Sequence, residues 1–276
     1  MSRLYEALKR LDERGASNEF AAELVQPVEI LNKAIDANSE LDGVPVAKLK
    51  VSPRARLAAL SANRSLGAEK FRALTNRLES IRHQRELRSI QVTSSVVGEG
   101  KSLVAANLAI TLASYGKSRV LLMEGDLHRP TLANLFGLGQ VKGLTEWWVN
   151  SAGDDVASYM QRFAEMPLTF LGAGAPVEQP AAMIQSERFK KAISSISTHF
   201  DWVVVDSTPM QPIIDANLWS RIVDGTLLVV REGVGTIHAL KKGLESFDNL
   251  NLIGVILNGA SEVHQNGYGY AYYGSK

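Results

Sequence analysis

The segment VTSSVVGEGKSLVAANLAI constrains the fold more than any other part of the chain. A short apolar strand is followed by a loop with two glycines, and GKS opens an apolar helix. The spacing fits the phosphate loop G-x-x-x-x-G-K-[ST], with Ser95 at the first glycine position. Gly98 and Gly100 let backbone N–H groups turn toward a phosphate, and the helix N-terminus adds partial positive charge. The sequence therefore predicts a phosphate site between a strand and a helix.

This loop also supplies side chains for a nucleotide and its metal. Lys101 can reach the β- and γ-phosphates, and the Ser102 hydroxyl can join a Mg²⁺ shell. A dinucleotide fingerprint is disfavoured because no G-x-G-x-x-G occurs at this turn. A glycine turn with an incidental Lys and Ser is the alternative. The predicted nucleotide-binding residues are Val97, Gly98, Glu99, Gly100, Lys101, Ser102 and Leu103.

Acidic residues follow two further apolar strands. Glu124 and Asp126 come at the end of VLLMEGD, and Asp206 ends WVVVD. A carboxylate at a strand end beside the crevice can hold Mg²⁺ directly or through water, although a single acid in a turn is more often a helix cap. Together with the phosphate loop, these three acids on two strand ends predict a Mg-nucleotide site.

Apolar strands alternate with helices from residue 68 onward. The predicted helices are 68–85, 101–116 and 186–200, and the predicted strands are SIQVTSS, VLLME, LTFLG, WVVVD, TLLVV and IGVILN. Strands that show little polar alternation are covered on both faces, as in a parallel sheet. The expected fold is therefore α/β: a doubly wound, mostly parallel sheet flanked by helices, with ligands at the carboxyl ends of the strands.

Three regions are expected along the chain. Residues 1–60 comprise a short amphipathic helix, Ser2 to about Arg14, and loosely structured connecting chain to about Arg56. Residues 61–259 form the α/β domain, and 260–276 form a flexible tail rich in tyrosine.

Composition excludes several classes of protein. Among 276 residues, 30 Lys and Arg balance 29 Asp and Glu, which argues against a generic nucleic-acid binder. The absence of Cys excludes disulfides, thiolate metal sites and a Cys nucleophile. No apolar run is long enough for a membrane span and no secretory signal is evident, so the expected location is the cytoplasm.

Taken together, these motifs resemble those of bacterial tyrosine kinases of the capsular and exopolysaccharide type. VVGEGKS, the EGDLHRP segment at 124–130 and VVVDSTP look like their Walker A, A′ and B motifs. The likeness runs from about Glu69 to Tyr273 and includes GLTEWW, SERF and DGTLLVVREGV. It implies a P-loop fold related to partitioning and septum-positioning ATPases.

The resemblance also implies an activity and roles for residues. The activity is ATP- and Mg²⁺-dependent autophosphorylation of tail tyrosines, which regulates polysaccharide assembly or export. By analogy, Lys101 and Ser102 grip the nucleotide, Asp126 and Asp206 hold the metal, and Glu124 helps to activate the incoming hydroxyl. The acceptor residues would be Tyr268, Tyr270, Tyr272 and Tyr273.

Partners follow from the same resemblance. Glu69 and Arg72 match an E-x-x-R helix through which such kinases associate, usually in rings. Kinases of this type without membrane spans work with a membrane protein of the polysaccharide co-polymerase class. The chain would then be recruited to the inner face of the cell membrane.

The sequence departs from the family pattern at several positions. The family usually has Asp at position 124, Arg at 128 and Arg at 75, where this chain has Glu124, His128 and Thr75. A paired proline is replaced by Pro209-Met210. Glu124 keeps the charge but adds a methylene, which bears on catalytic rate more than on nucleotide binding, because Mg²⁺ is exacting in geometry.

The tail can reach a site at the carboxyl edge of the sheet. Its tyrosines lie 10–15 residues beyond Asn258, and a flexible segment of ~12 residues spans ~20 Å on average and ~40 Å when extended. An adhesive aromatic tail without chemistry is the alternative.

Two other functions remain open from the residues. A partitioning-type ATPase would use a similar loop and carboxylates with water as acceptor. A nucleotide-binding adaptor with weakened catalysis would retain the loop alone.

Overall fold

The computed structural model describes residues 43–51, 55–60, 65–150, 153–212, 214–247 and 251–260. The predicted helix at 2–14 lies outside these residues, as does the predicted tail at 260–276 apart from residue 260. The elements are, in chain order, β1 Val46–Ala47, a 3₁₀ turn Ala58–Leu60, α1 Leu66–Arg82, β2 Ser89–Ser94, α2 Lys101–Ser114, β3 Val120–Glu124, α3 Leu132–Leu135, α4 Leu144–Val149, a 3₁₀ turn Val156–Tyr159, β4 Met160–Phe163, β5 Leu168–Leu171, α5 Pro180–Gln185, α6 Glu187–Ser197, β6 Trp202–Asp206, α7 Asp215–Ser220, β7 Gly225–Arg231, α8 Ile237–Glu245 and β8 Leu252–Asn258.

The eight strands form one sheet in the order β1-β4-β5-β3-β6-β2-β7-β8. The run from β5 to β8 is parallel throughout, whereas β4 is antiparallel to β5 and carries β1 parallel to itself. The mostly parallel sheet predicted from the sequence is confirmed. Because parallel strands end at one edge, β2, β3 and β6 bring their carboxyl ends together.

Helices cover both faces of the sheet. Helix α2 is apolar nearly all round and buries ten consecutive residues, 104–113, in a core shared with Val92 and Val204. Trp219 of α7 lies on the other face, near Val205 and Gly125. Since neighbouring residues of a strand point to opposite faces, the sheet is doubly wound, as predicted.

Local signals set the ends of the longer helices. Ser65 caps α1 by accepting a hydrogen bond from the Ala68 N–H at 3.2 Å, and Ser186 caps α6 through Phe189 at 3.1 Å. The apolar face predicted for α6 is buried at Phe189, Ile193 and Ile196. Both helices therefore begin close to the predicted residues.

Part of the segment predicted as connecting chain belongs to the sheet domain. Residues 46–47 pair with β4, and the Lys50 N–H donates to the Phe136 carbonyl at 3.1 Å. Leu57 is buried in the core, and the Ala59 N–H donates to the Asn107 side chain at 3.0 Å. The sequence signal was weak because these contacts are made by short, irregular pieces of chain.

Candidate nucleotide and phosphoryl-transfer site

The phosphate loop joins the end of β2 to the start of α2. Gly98 and Gly100 have φ values of +90° and +92°, a region that side chains other than glycine rarely occupy. Gly100 is the N-cap of α2, so the unpaired N–H groups of that helix face the crevice. The geometry is that of an anion site. Val97 is exposed in the loop and Leu103 packs against the core.

The loop is held in shape by its own glutamate. The buried Glu99 carboxylate accepts hydrogen bonds from the Ser95 hydroxyl at 2.8 Å and the Val96 N–H at 2.9 Å. The Asn258 side chain, at the end of β8, donates to the Glu99 carbonyl at 2.8 Å. The predicted loop residue Glu99 therefore braces the loop, and Asn258 is a supporting residue that the sequence analysis did not identify.

Lys101 lies between the two strand-end aspartates. Its Nζ is 2.8 Å from Asp126 Oδ2, 3.3 Å from Asp206 Oδ1 and 3.2 Å from the Ser102 Oγ. Burial alone would lower the pKa of Lys101, but the carboxylates of Asp206 and Asp126 outweigh it and raise the pKa. Lys101 is therefore charged at neutral pH and neutralises two acids that would otherwise repel each other.

The chemistry of this cluster fits a divalent metal bound together with a nucleotide. Burial raises the pKa of Asp206, an effect opposed by Lys101 and the Ser102 hydroxyl, and its Oδ2 has no hydrogen-bond partner. Within the described residues no group of three or more His, Asp or Glu side chains forms a metal site. A Mg²⁺ ion here would need oxygen atoms from Ser102, phosphate and water besides the two carboxylates.

Glu124 is placed differently from the two aspartates. Its oxygens accept hydrogen bonds from the N–H groups of Leu132, at the start of α3, and Ala173, after β5. Burial raises the pKa of Glu124, and these two bonds oppose that shift. The carboxylate thus connects the segments at Leu132 and Ala173 to the end of β3. The side chain of Glu is one methylene longer than that of Asp, which lets its oxygens extend to these N–H groups. Its role in activating a hydroxyl stays a prediction.

His128, another departure from the family pattern, has a buried partner. Its Nε2 lies 3.0 Å from Oδ2 of Asp215 in α7. Burial raises the pKa of Asp215, and His128 opposes the shift. The N–H of the next residue, Arg129, donates a hydrogen bond to Asp126 Oδ1 at 3.0 Å. The contact between His128 and Asp215 is therefore adjacent in sequence to the bond that orients Asp126. No sequence signal identified Asp215 as this partner.

The predicted contact residues on α1, exposed Glu69 and half-buried Arg72, are paired with each other. Arg72 Nη1 lies 2.6 Å from Glu69 Oε1, and the Arg72 guanidinium lies 5.6 Å from the ring centroid of Tyr115. Thr75, where the family usually has a second Arg, is only 2% exposed. Position 75 therefore faces inward in this chain.

No helix within the described ranges combines the length and apolar character that a bilayer crossing requires.

Comparisons with known proteins agree with this geometry. Residues 90–268 match the CobQ/CobB/MinD/ParA nucleotide binding domain, so the fold and site define a nucleotide-binding domain of the P-loop class. Tyrosine-protein kinase YwqD of Bacillus subtilis (strain 168) is 31% identical to this chain over 79% of its length and 91% of the relative's length. The chain belongs to the family of bacterial tyrosine-protein kinases.

Two further comparisons support the assignment. Putative tyrosine-protein kinase CapB of Staphylococcus aureus is 29% identical over 75% of this chain and 90% of its own length. The crystal structure of the chimerical protein CapA2B2 superposes with a TM-score of 0.67 at 26% identity, covering 81% of this chain and 97% of that one. The family and the enzyme class predicted from the three motifs are confirmed.

Proposed function

We propose that this kinase uses ATP and Mg²⁺ to phosphorylate its own C-terminal tyrosines, Tyr268, Tyr270, Tyr272 and Tyr273. The observation that carries the proposal is Lys101 lying between Asp126 and Asp206 at the mouth of the phosphate loop. Phosphoryl transfer depends mainly on positioning and charge neutralisation, and this cluster offers both.

Lys101 and the aspartates would exchange partners when nucleotide binds. The ammonium group now bridges the carboxylates, whereas a phosphate loop lysine reaches the β- and γ-phosphates of a bound nucleotide. With Lys101 directed to the phosphates, Asp126, Asp206 and Ser102 would be the residues that hold a metal. Mg²⁺ would neutralise charge on the transferred phosphoryl group. Glu124 would accept the tyrosine proton after releasing one backbone amide.

The cellular role follows by analogy with the relatives. We infer that the chain acts in the cytoplasm, recruited to the inner face of the cell membrane by a co-polymerase-type membrane protein that activates it. It would form a homo-oligomer, a ring in kinases of this type, with Glu69 and Arg72 of α1 at the contact. Phosphorylation of its tail would regulate the assembly or export of an exopolysaccharide.

One assay tests the activity directly. The purified full chain is incubated with Mg-ATP, and its C-terminal peptides are weighed by mass spectrometry. We expect gains of about 80 Da per modified tyrosine, the mass of one phosphoryl group. Lys101→Met should abolish them, because the phosphates lose their cation.

The same assay separates the other functions. Phosphate release without tail modification would indicate a partitioning-type ATPase, with water as acceptor. Bound nucleotide with neither product would indicate an adaptor without catalysis. Either result would contradict the kinase proposal.

A further inference from the structure

The turn that follows β6 carries a buried hydroxyl beside the candidate site. Thr208 lies two residues beyond Asp206, in the segment where the chain departs from the paired proline of the family. It is 0% exposed, and its Oγ1 has no hydrogen-bond partner among the residues that the structure describes. A buried hydroxyl without a partner is unfavourable, because its hydrogen bonds to water are lost and not replaced. Such a group next to a functional site calls for an explanation in terms of function.

The backbone around Thr208 is fixed to the strand that leads into the phosphate loop. The Thr208 carbonyl accepts a hydrogen bond from Thr93 Oγ1 at 2.8 Å. The Met210 N–H donates to the carbonyl of Ser94, the last residue of β2, at 2.8 Å. The turn therefore runs beside the start of the phosphate loop, and these bonds oppose any movement that would give the hydroxyl a different partner.

A second oxygen without a partner lies at the same strand end. Asp206 Oδ1 is 3.3 Å from Lys101 Nζ, whereas Oδ2 accepts no hydrogen bond from the described residues. A carboxylate oxygen accepts hydrogen bonds only, and a Thr hydroxyl can also accept them. Two acceptors beside a metal site suit a water of a Mg²⁺ shell, because that water donates two hydrogen bonds and Mg²⁺ usually keeps several waters.

We propose that the Thr208 hydroxyl holds a water of the Mg²⁺ shell when metal and nucleotide occupy the site. This inference rests on the Mg²⁺ dependence of the proposed function and adds a positioning residue to it. Thr208 acts through the water and does not contact the metal. Its hydroxyl lowers the stability of the free chain and strengthens metal binding, so removing it has two effects of opposite sign.

Thr208→Val tests both effects, since Val keeps the shape of Thr and lacks the hydroxyl. We expect the free chain with this substitution to unfold at a higher temperature than the unmodified chain, as measured by calorimetry without nucleotide. Mg²⁺ is then titrated into each chain together with a fluorescent, non-hydrolysable ATP analogue. Half-saturation should need about tenfold more Mg²⁺ in Thr208→Val, the effect of losing one hydrogen bond near a charged group. Binding of the analogue in EDTA should not change.

Thr75→Val is the matched control. Thr75 is buried as well, and its Oγ1 also has no partner among the described residues, but it lies within α1 and outside the site. This variant should unfold at a higher temperature too, and its Mg²⁺ requirement should equal that of the unmodified chain.

Two further variants separate the hydroxyl from packing. Thr208→Ser keeps the hydroxyl and loses the methyl group, so it should unfold at a lower temperature while its Mg²⁺ requirement stays unchanged. Thr208→Ala lacks both groups and should need about tenfold more Mg²⁺ than Thr208→Ser. This pair tests the inference even if the chain does not accommodate Val at position 208.

The results also distinguish this inference from the proposed function. An unchanged Mg²⁺ requirement in the variants without the hydroxyl, or an equal increase in Thr75→Val, would overturn the inference. Equally weakened binding of the analogue in EDTA would overturn it too, because the hydroxyl would then act on the nucleotide without the metal. Tail phosphorylation by the unmodified chain would uphold the proposed function in each of these cases. The expected shift in Mg²⁺ requirement without tail phosphorylation would uphold the role of Thr208 and refute the proposed function.

Discussion

At the scale of single residues, the site is a balance of buried charges. Asp206 is fully buried, Asp126 nearly so, and the Lys101 ammonium contacts both. Removing the partner of a buried carboxylate costs much more free energy than the ion pair contributes to stability. The reason is that the desolvation of the remaining carboxylate is no longer compensated. Lys101 therefore stabilises the fold as well as offering a cation to the nucleotide.

This balance predicts a non-additive pair of substitutions. Lys101→Met should lower the free energy of unfolding by about 3–5 kcal/mol, because Asp206 is left buried without a cation. Adding Asp206→Asn should restore part of the loss, since the unpaired charge is gone. Urea denaturation of the two single variants and the double variant measures the coupling. Strictly additive losses would show that the Lys101–Asp206 contact contributes nothing.

The sequence predicted Lys101, Ser102, Asp126 and Asp206 as neighbours, and the structure brings them together. Their positions were predictable because each follows a strand of one parallel sheet, whose carboxyl ends meet. The bracing role of Asn258 was not, because it depends on the position of a distant backbone group, the Glu99 carbonyl. Asp215 likewise contacts His128 across 87 residues of sequence.

At the scale of elements, Glu124 connects segments next to helices and strands that are too short to be predicted from sequence periodicity. Helix α3 has four residues and α4, α5 and α7 have six each, too few to show a helical repeat. Strands β1 and β4 are as short and lie at one edge of the sheet. The three longest helices and six strands were predicted from the sequence, and five of those strands are buried over most of their length. The expectation that every strand is covered on both faces is wrong for β8, which lies at the edge of the described sheet and has no buried residue.

The bracing by Glu124 is open to a direct test. In Glu124→Gln the amide nitrogen replaces one carboxylate oxygen, so the N–H of Leu132 or of Ala173 loses its acceptor. We expect the free energy of unfolding to fall by about 1–3 kcal/mol, the cost of an unsatisfied buried donor. Glu245→Gln, on the exposed side of α8, is the control and should have little effect. Equal stability of the two variants would show that the bracing is unimportant.

At the scale of the whole molecule, phosphorylation of the tail would change the net charge and therefore the repulsion between copies of the chain. The chain has a formal net charge of +1, so charge repulsion between copies is small. Four phosphotyrosines would add about −6 to −8 charges near neutral pH. Such tails would repel one another and the acidic edge that holds Asp126 and Asp206.

We therefore expect phosphorylation to dissociate the proposed homo-oligomer. Light scattering of the full chain before and after exhaustive incubation with Mg-ATP should show a lower mass after modification, most clearly at low salt. The chain with its four tail tyrosines changed to Phe should keep its mass under the same treatment. An unchanged mass for the fully phosphorylated chain would contradict the hypothesis.

The bond between Asn258 and the phosphate loop fixes where the proposed acceptor segment leaves the sheet. Asn258 is the last residue of β8, and its side chain is bonded to the Glu99 carbonyl. Whatever the gene encodes after this residue is delivered to the same rim of the sheet. Under the proposed function, the number, spacing and neighbours of the tyrosines could differ without moving their point of attachment beside the phosphate loop.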